Sequence, residues 1–170
     1  MQLTIDGHTA FCHTGDNPFD PALPTVVLVH GALNDHAGGA QQSPALAARG
    51  FAVLAPDLRG HGRSDGPALR SVEALADWLI ALLDAAAVGR ALLAGHSMGS
   101  LVVLEAAYRA PQRAAGLALL GATFPMKVAD ALLATALEDQ QAAIDMVVTW
   151  SHAASSAPSV ADAARDMMQR

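Results

Sequence analysis

The chain has 170 residues, which suits one domain, and 52% of them are hydrophobic, enough for a substantial core. Its formal net charge is −6 at pH 7, and it contains no block of lysine or arginine, so a nucleic-acid or acidic-membrane partner has no electrostatic basis. A neutral or apolar small molecule fits this composition better as a partner.

The cysteine content and the N-terminal sequence indicate the cellular compartment of the protein. Cys12 is the single cysteine, so an internal disulfide is excluded, and its place in a predicted strand favours packing over reactivity. The N-terminus lacks the basic and then apolar order of a secretion signal, and no apolar run approaches the ~20 residues that cross a bilayer. We therefore expect a cytoplasmic protein without a membrane span.

The first predicted elements are a hairpin and a buried strand. Segments 2–6 and 8–13 flank Gly7, and the Asp6-Gly7 pair is typical of a tight hairpin turn. After a proline-rich loop, residues 25–29 form a β-branched apolar run without alternation. Such a run is typical of a central strand that is covered on both faces.

Two helix-containing units follow. Ser43 is predicted to cap a helix that continues to Arg49 and precedes a second central strand at residues 51–55. Ser71 is predicted to cap the next helix, which ends at Gly89. The apolar face of that helix is predicted to consist of Leu75, Trp78, Leu79, Leu82 and Leu83.

The last core elements complete a strand–helix alternation. Residues 91–94 form a strand, a helix follows that ends before Pro111, and residues 115–120 are predicted as a further buried strand. This alternation predicts an α/β fold with a mostly parallel sheet covered by helices on both faces. From Pro125 the pattern is helical, with predicted helices at 128–137, 139–151 and 160–169.

A serine at the break between strand and helix is the candidate nucleophile. The segment reads Gly95-His96-Ser97-Met98-Gly99, and the two glycines suit a turn at which a strand and a helix pass too close for side chains. His30-Gly31 and the loop that starts at Asp57 also follow predicted strands. In a parallel sheet these carboxyl ends meet at one edge, where ligands bind.

Three motifs carry a resemblance to a known family. They are HGAL (30–33), DLRGHGRSDG (57–66) and AGHSMGS (94–100). In these motifs and their order the chain resembles the α/β-hydrolase superfamily, particularly its capped esterase-like members. The resemblance implies that residues 1–124 are the N-terminal part of the hydrolase core and that residues 125–170 begin a helical cap.

The resemblance also implies roles for individual residues. Ser97 would attack an acyl carbonyl, while the backbone N–H groups of Ala32 and Met98 would form the oxyanion hole. Gly95, His96 and Gly99 would support the turn. Serine at position 97 excludes the aspartate nucleophile of dehalogenase-like relatives. Hydrolysis of an ester, thioester or lactone of a small, apolar acyl compound is implied, with hydrolysis of an activated carbon–carbon bond as another option, and no cofactor is needed.

One part of the family pattern is missing. In this fold the triad runs serine, then acid, then histidine along the chain, but only His152 follows Ser97, and it lies among the cap-like helices. The carboxylates after Ser97 lie on predicted helix faces or caps. We therefore expect the acid and base beyond residue 170, in a longer protein of which this chain is an N-terminal fragment. The alternative is a non-catalytic small-molecule binding protein of the same fold.

Other ligand classes have weaker signals. His30, His36, His61 and His96 lack the helical spacing of a zinc motif, so no metal site is predicted. The glycine-rich loop at 57–66 lacks the Gly-Lys-Ser/Thr ending of a phosphate cradle, and contacts of Asp57 and Arg59 are predicted to hold it instead. No dinucleotide fingerprint follows the first strand.

Overall fold

A six-stranded sheet forms the first of two compact units. The computed structural model describes residues 1–169; the first unit is Met1–Ala122 and the second begins at Thr123. The strands are β1 (Gln2–Ile5), β2 (His8–His13), β3 (Thr25–Val29), β4 (Ala52–Pro56), β5 (Ala91–His96) and β6 (Ala114–Leu120). Their order is β1-β2-β4-β3-β5-β6, with β3 to β6 parallel and β1 and β2 antiparallel at one edge. The predicted α/β class with a mostly parallel sheet is confirmed.

Helices connect the parallel strands and make up most of the second unit. The first unit contains α1 (Gln42–Ala47), α2 (Val72–Ala85) and α3 (Met98–Arg109), with 3₁₀ turns at His36–Gly39 and Pro111–Arg113. The second contains α4 (Asp130–Glu138), α5 (Gln140–Ser151) and α6 (Pro158–Met168). Within residues 1–169, no helix has the length and apolar character that a membrane span requires.

The N-terminal hairpin forms at the predicted turn. Asp6 and Gly7 both adopt positive φ angles, 50° and 77°, as the two central residues of a type I′ turn require. Strand β2 carries Cys12, whose side chain is fully buried. Burial raises the pKa of the Cys12 thiol to about 12, so the thiol stays protonated and inert at neutral pH.

The core lies between the strands and helices α2 and α3. All five residues of the predicted apolar face of α2 are buried, and the Ser71 hydroxyl accepts a hydrogen bond from the Ala74 N–H at 3.1 Å, as an N-cap does. Helix α2 ends at Ala85, earlier than predicted. Ala87 has a φ of 56°, and a left-handed residue at this point ends the helix before Gly89 is reached.

Two sequence predictions are wrong in detail. Ser43 is not the N-cap of α1: it lies inside the helix, fully buried, and its hydroxyl donates to the Gly39 carbonyl at 2.7 Å. Strand β6 is not buried. Leu117, Leu119 and Leu120 are 41–52% exposed, because β6 ends the sheet and pairs only with β5 among the residues described. Apolar content alone does not distinguish a central strand from this edge strand.

Candidate active site

Ser97 occupies a strained turn between β5 and α3. Its φ and ψ angles are 51° and −121°, a region that a residue with a side chain adopts at a cost of about 1–3 kcal/mol. The Ser97 N–H donates to the Leu120 carbonyl at 2.9 Å, so the end of β6 anchors the turn. We refer to residues 95–99 as the Ser97 turn.

The glycines of the Ser97 turn are required by close backbone contacts. A Cβ atom on Gly95 would overlap the Gly99 carbonyl, and one on Gly99 would overlap the Val29 carbonyl and lie 2.5 Å from the carbonyl oxygen of His30. Real Cβ atoms essentially never come so near to backbone. The helix, the turn and strand β3 therefore approach each other at a distance that only glycine permits.

Ser100 holds the same turn from inside and has no counterpart among the sequence predictions. Its hydroxyl is 1% exposed and donates to the Gly95 carbonyl at 2.6 Å. It also accepts from the Leu120 N–H at 3.2 Å. One side chain thus joins the end of β5, the first turn of α3 and the end of β6. A serine directly after the G-x-S-x-G pattern was the only sequence signal for this contact.

The loop after β3 lies against Ser97. A Cβ atom on Gly31 would lie 3.2 Å from the Ser97 Cβ, and Leu33, two residues further on, has a positive φ of 60°. The structure therefore brings the peptide between Gly31 and Ala32 to the same place as the Ser97 turn. Met98, the other residue of the predicted oxyanion hole, is the first residue of α3.

His30 connects the loops after β3 and β4. The buried imidazole forms a hydrogen bond between Nδ1 and the Gly31 carbonyl at 2.8 Å, and its Nε2 accepts from the Leu58 N–H at 3.0 Å. Burial lowers the pKa of His30 below its ordinary value, and the bond to the Gly31 carbonyl opposes this in part. His30 is therefore neutral at pH 7.

The lowered pKa predicts a pH dependence of stability. Below about pH 6.5, His30 binds a proton in the unfolded chain but stays neutral in the folded protein. The free energy of unfolding should therefore decrease as the pH is lowered, until His30 is protonated in the folded protein as well. We expect wild type to lose more free energy of unfolding between pH 7 and pH 5 than His30→Asn, by at most about 1.4 kcal/mol per pH unit. Urea unfolding of both proteins at both pH values measures this difference. The contributions of the other titrating groups cancel because both proteins contain them. Equal losses would contradict it.

Asp57 organises the loop after β4. Its carboxylate is fully buried; Oδ1 accepts from the backbone N–H and Nδ1 of His36, at 2.7 and 2.8 Å, and Oδ2 accepts from the Arg63 N–H at 2.7 Å. The Asp57 carbonyl also accepts from the Ser64 hydroxyl at 2.6 Å. The predicted role of Asp57 in holding this loop matches these contacts. For Arg59 no contact of this kind is found: its Nε is buried without a partner among residues 1–169.

The same loops bring together three side chains with metal-ligating atoms. One such atom each of Asp35, His36 and Asp57 lies within 4.8 Å of the others. All three side chains already have protein partners, because Asp35 Oδ1 accepts from the Ala37 N–H at 2.7 Å and His36 is bonded to Asp57. The arrangement is that of a hydrogen-bond network that joins two loops.

The remaining histidines named above have different surroundings. His96 is exposed and lies beside two glycines: Cβ atoms on Gly31 and Gly121 would lie 3.3 and 3.4 Å from its ring. His152 is bonded through Nδ1 to the Val148 carbonyl at 2.7 Å, at the end of α5. Within residues 1–169, no histidine or carboxylate side chain is hydrogen-bonded to the Ser97 hydroxyl.

A family model of the alpha/beta hydrolase fold matches residues 24–167. The sheet order, the Ser97 turn and this match agree, and the chain belongs to the alpha/beta hydrolase fold family. The resemblance seen in the three motifs is thereby confirmed.

The chain is similar to proteins with several different names. One relative is a dihydrolipoyllysine-residue acetyltransferase component of an acetoin cleaving system from Pseudomonas putida, to which the chain is 45% identical over 96 residues. The aligned segment covers 56% of this chain and 26% of that protein. The chain is 39% identical over 106 residues to epoxide hydrolase A from Mycobacterium tuberculosis, covering 59% and 32%. An esterase from Exiguobacterium antarcticum superposes with a TM-score of 0.84 at 18% identity, covering 99% of this chain and 67% of that one. The chain thus spans about a third or less of these two sequence relatives.

Proposed function

We propose that this chain carries the nucleophile and the oxyanion-binding groups of a hydrolase that acts on a carboxylic ester or a similar acyl compound. The observation that carries the proposal is the Ser97 turn, in which a serine is held at a φ of 51° directly before α3. Strain of this kind persists where the surroundings enforce it and is frequent at active sites. The chain's membership of the hydrolase fold family supports the same reading.

The proposed first step is attack by the Ser97 oxygen on the acyl carbonyl carbon. An oxygen–carbon bond forms, the carbonyl electron pair moves onto oxygen, and the hydroxyl proton passes to solvent water. The Met98 N–H at the start of α3 and the Ala32 N–H after Gly31 are the proposed donors to this oxyanion, because both adjoin the turn. Collapse breaks the bond to the alkoxide, which takes a proton from water and departs as the alcohol. A water molecule then attacks the acyl-enzyme, which releases the acid and returns a proton to the Ser97 oxygen.

The proposal does not assign a general base. None of the residues described here bonds to the Ser97 hydroxyl, and a serine without a base retains only the acceleration that comes from oxyanion stabilisation and binding. For the 170-residue chain we therefore expect a residual acceleration of ~10³ over water. A sensitive single-turnover readout is needed to detect it.

The substrate is proposed to be a small molecule with an uncharged acyl group. The net charge of −6 disfavours an anionic substrate, and the sequence contains no block of lysine or arginine that would recognise one. Helices α4, α5 and α6 are proposed to be a helical cap, which in capped hydrolases helps to choose the acyl group. No cofactor enters the proposed reaction.

Labelling by a fluorophosphonate tests the proposal. The probe phosphonylates a serine hydroxyl and displaces fluoride, and its phosphonyl oxygen takes the place of the oxyanion. The proposed donors should therefore speed this step even without a base, so we expect one slowly formed adduct, which peptide mass spectrometry should place on Ser97. Ser97→Ala is expected to abolish labelling, while Ser71→Ala, at a helix N-cap outside the site, is the matched control and should still be labelled. Labelling of other serines without Ser97 would contradict the proposal.

A non-catalytic binding protein of the same fold is the second candidate. The observation that favours it is the lack of a bonded base at Ser97 among residues 1–169. This candidate predicts saturable binding of small apolar esters without any adduct at Ser97. The labelling experiment therefore separates the two functions.

A further inference from the structure

We propose that His30 is a positioning residue that aims the Ala32 N–H at the oxyanion by holding the peptide between Gly31 and Ala32. The inference rests on the proposed function, because it assigns a task to one of the two proposed oxyanion donors. His30 is buried directly after β3, so its proposed task is to position the Ala32 N–H rather than to touch the substrate.

The hydrogen bonds of His30 determine its tautomer. The Leu58 N–H lies 3.0 Å from Nε2, and an N–H donor requires an unprotonated nitrogen as acceptor. In the neutral ring the hydrogen is therefore on Nδ1. Nδ1 lies 2.8 Å from the Gly31 carbonyl, which can only accept, so the Nδ1–H donates to it. The Leu58 backbone thus selects the ring form that binds Gly31.

The Gly31 carbonyl and the Ala32 N–H belong to one planar peptide. In a trans peptide the C=O and N–H bonds point in opposite directions, so holding the oxygen also fixes the direction of the N–H. Glycine at position 31 would otherwise leave this peptide free to rotate. A hydrogen bond to the carbonyl also polarises the amide and strengthens its N–H as a donor.

The support for His30 is rigid. The imidazole is 6% exposed and Leu58 is fully buried, while the Asp57 carboxylate holds the adjoining loop by three hydrogen bonds. The contact between His30 and Leu58 joins residues 28 positions apart. The loop after β4 thereby fixes a group in the loop after β3, next to Ser97.

A purely structural histidine that joins two loops is the competing interpretation. It predicts that any substitution lowers stability and labelling in parallel. Two substitutions each retain one of the two hydrogen bonds of His30. In His30→Asn the amide nitrogen lies near the position of Nδ1, so this variant keeps a donor to the Gly31 carbonyl. The amide of His30→Gln reaches the position of Nε2, so it keeps an acceptor for Leu58 and loses the donor to Gly31.

The first experiment measures the rate of Ser97 labelling by a fluorophosphonate in the 170-residue chain. Under conditions in which urea titration shows both variants folded, we expect His30→Gln to be labelled roughly 10-fold to 100-fold more slowly than His30→Asn, since loss of an oxyanion donor costs about 10²–10³ in rate. The conservative variant thus rescues the rate even if the two variants are equally destabilised. Equal rates in the two variants would overturn the inference.

The second experiment needs no variant and no activity. Long-range ¹H–¹⁵N correlation spectra of the ¹⁵N-labelled wild type at pH 7 report which ring nitrogen of His30 carries the hydrogen. A hydrogen on Nδ1 supports the inference, and a hydrogen on Nε2 overturns it. Wild type that is not labelled at Ser97 would instead overturn the proposed function, and the oxyanion role of Ala32 with it, whichever tautomer is found.

Discussion

Gly99→Ala is expected to lower the free energy of unfolding by about 3 kcal/mol or more. The added Cβ would overlap the Val29 carbonyl and lie 2.5 Å from the His30 carbonyl oxygen. Both are backbone atoms, and Val29 pairs with Gly95 in the sheet, so they cannot move aside without disturbing the ladder between β3 and β5. The start of α3 would have to move instead, and Ser97 with it.

Urea unfolding followed by circular dichroism measures this effect. Gly89→Ala is the matched control: no atom lies within 4 Å of a Cβ built there, so its stability should stay within about 1 kcal/mol of wild type. We also expect Gly99→Ala, where it still folds, to lose labelling at Ser97. A Gly99→Ala protein as stable as wild type would show that α3 and β3 are further apart than described here.

Asp57→Asn is expected to destabilise the protein by about 2–4 kcal/mol, although the two side chains have the same shape. The carboxylate accepts three hydrogen bonds, and an amide replaces one accepting oxygen with a donating NH₂ group. That group would face the N–H of either His36 or Arg63. The NH₂ group cannot rotate away from these N–H groups, because the backbone of Gly62 packs closely against the end of the side chain. A Cβ atom built on Gly62 would lie only 2.5 Å from Oδ2 of Asp57.

Asp84→Asn is the control for the loss of one negative charge. Asp84 pairs with Arg113 at 2.6 Å, but its side chain is 65% exposed, and such pairs contribute about 1 kcal/mol or less. The difference between the two variants in free energy of unfolding at pH 7 therefore measures burial and geometry rather than charge. If Asp57→Asn cost no more than Asp84→Asn, the Asp57 network would not hold the loop.

Local patterns predicted much of the fold correctly. The Asp6-Gly7 turn, the central strand at 25–29 and the buried face of α2 each depend on residues within a few positions of one another, so sequence spacing contains the information. The Ser97 turn belongs to the same group, because glycine, serine and glycine stand at every second position of one five-residue segment, the pattern at which a strand bends into a helix. The roles of Ala32 and Met98 came from the family resemblance and remain predictions.

Contacts between distant segments were not predictable in this way. Ser43 is a residue type that favours the N-cap, yet it lies inside α1, where its buried hydroxyl donates to the Gly39 carbonyl of the preceding 3₁₀ turn. Strand β6 is as apolar as a central strand, and only its position at the end of the sheet decides its exposure. Ser100 directly follows the G-x-S-x-G pattern, but nothing in the sequence indicates that its hydroxyl binds the ends of β5 and β6.

The sequence by itself determined the class of fold, the succession of strands and helices along the chain, and the serine at the turn, because these depend on periodicity and on short-range steric rules. Only the tertiary structure decided which polar groups support that serine. His30 meets Leu58, and His36 meets Asp57, across 28 and 21 positions. Such pairs form because buried polar groups must find partners once the sheet has brought the loops together, and no local pattern records which partner each group will find.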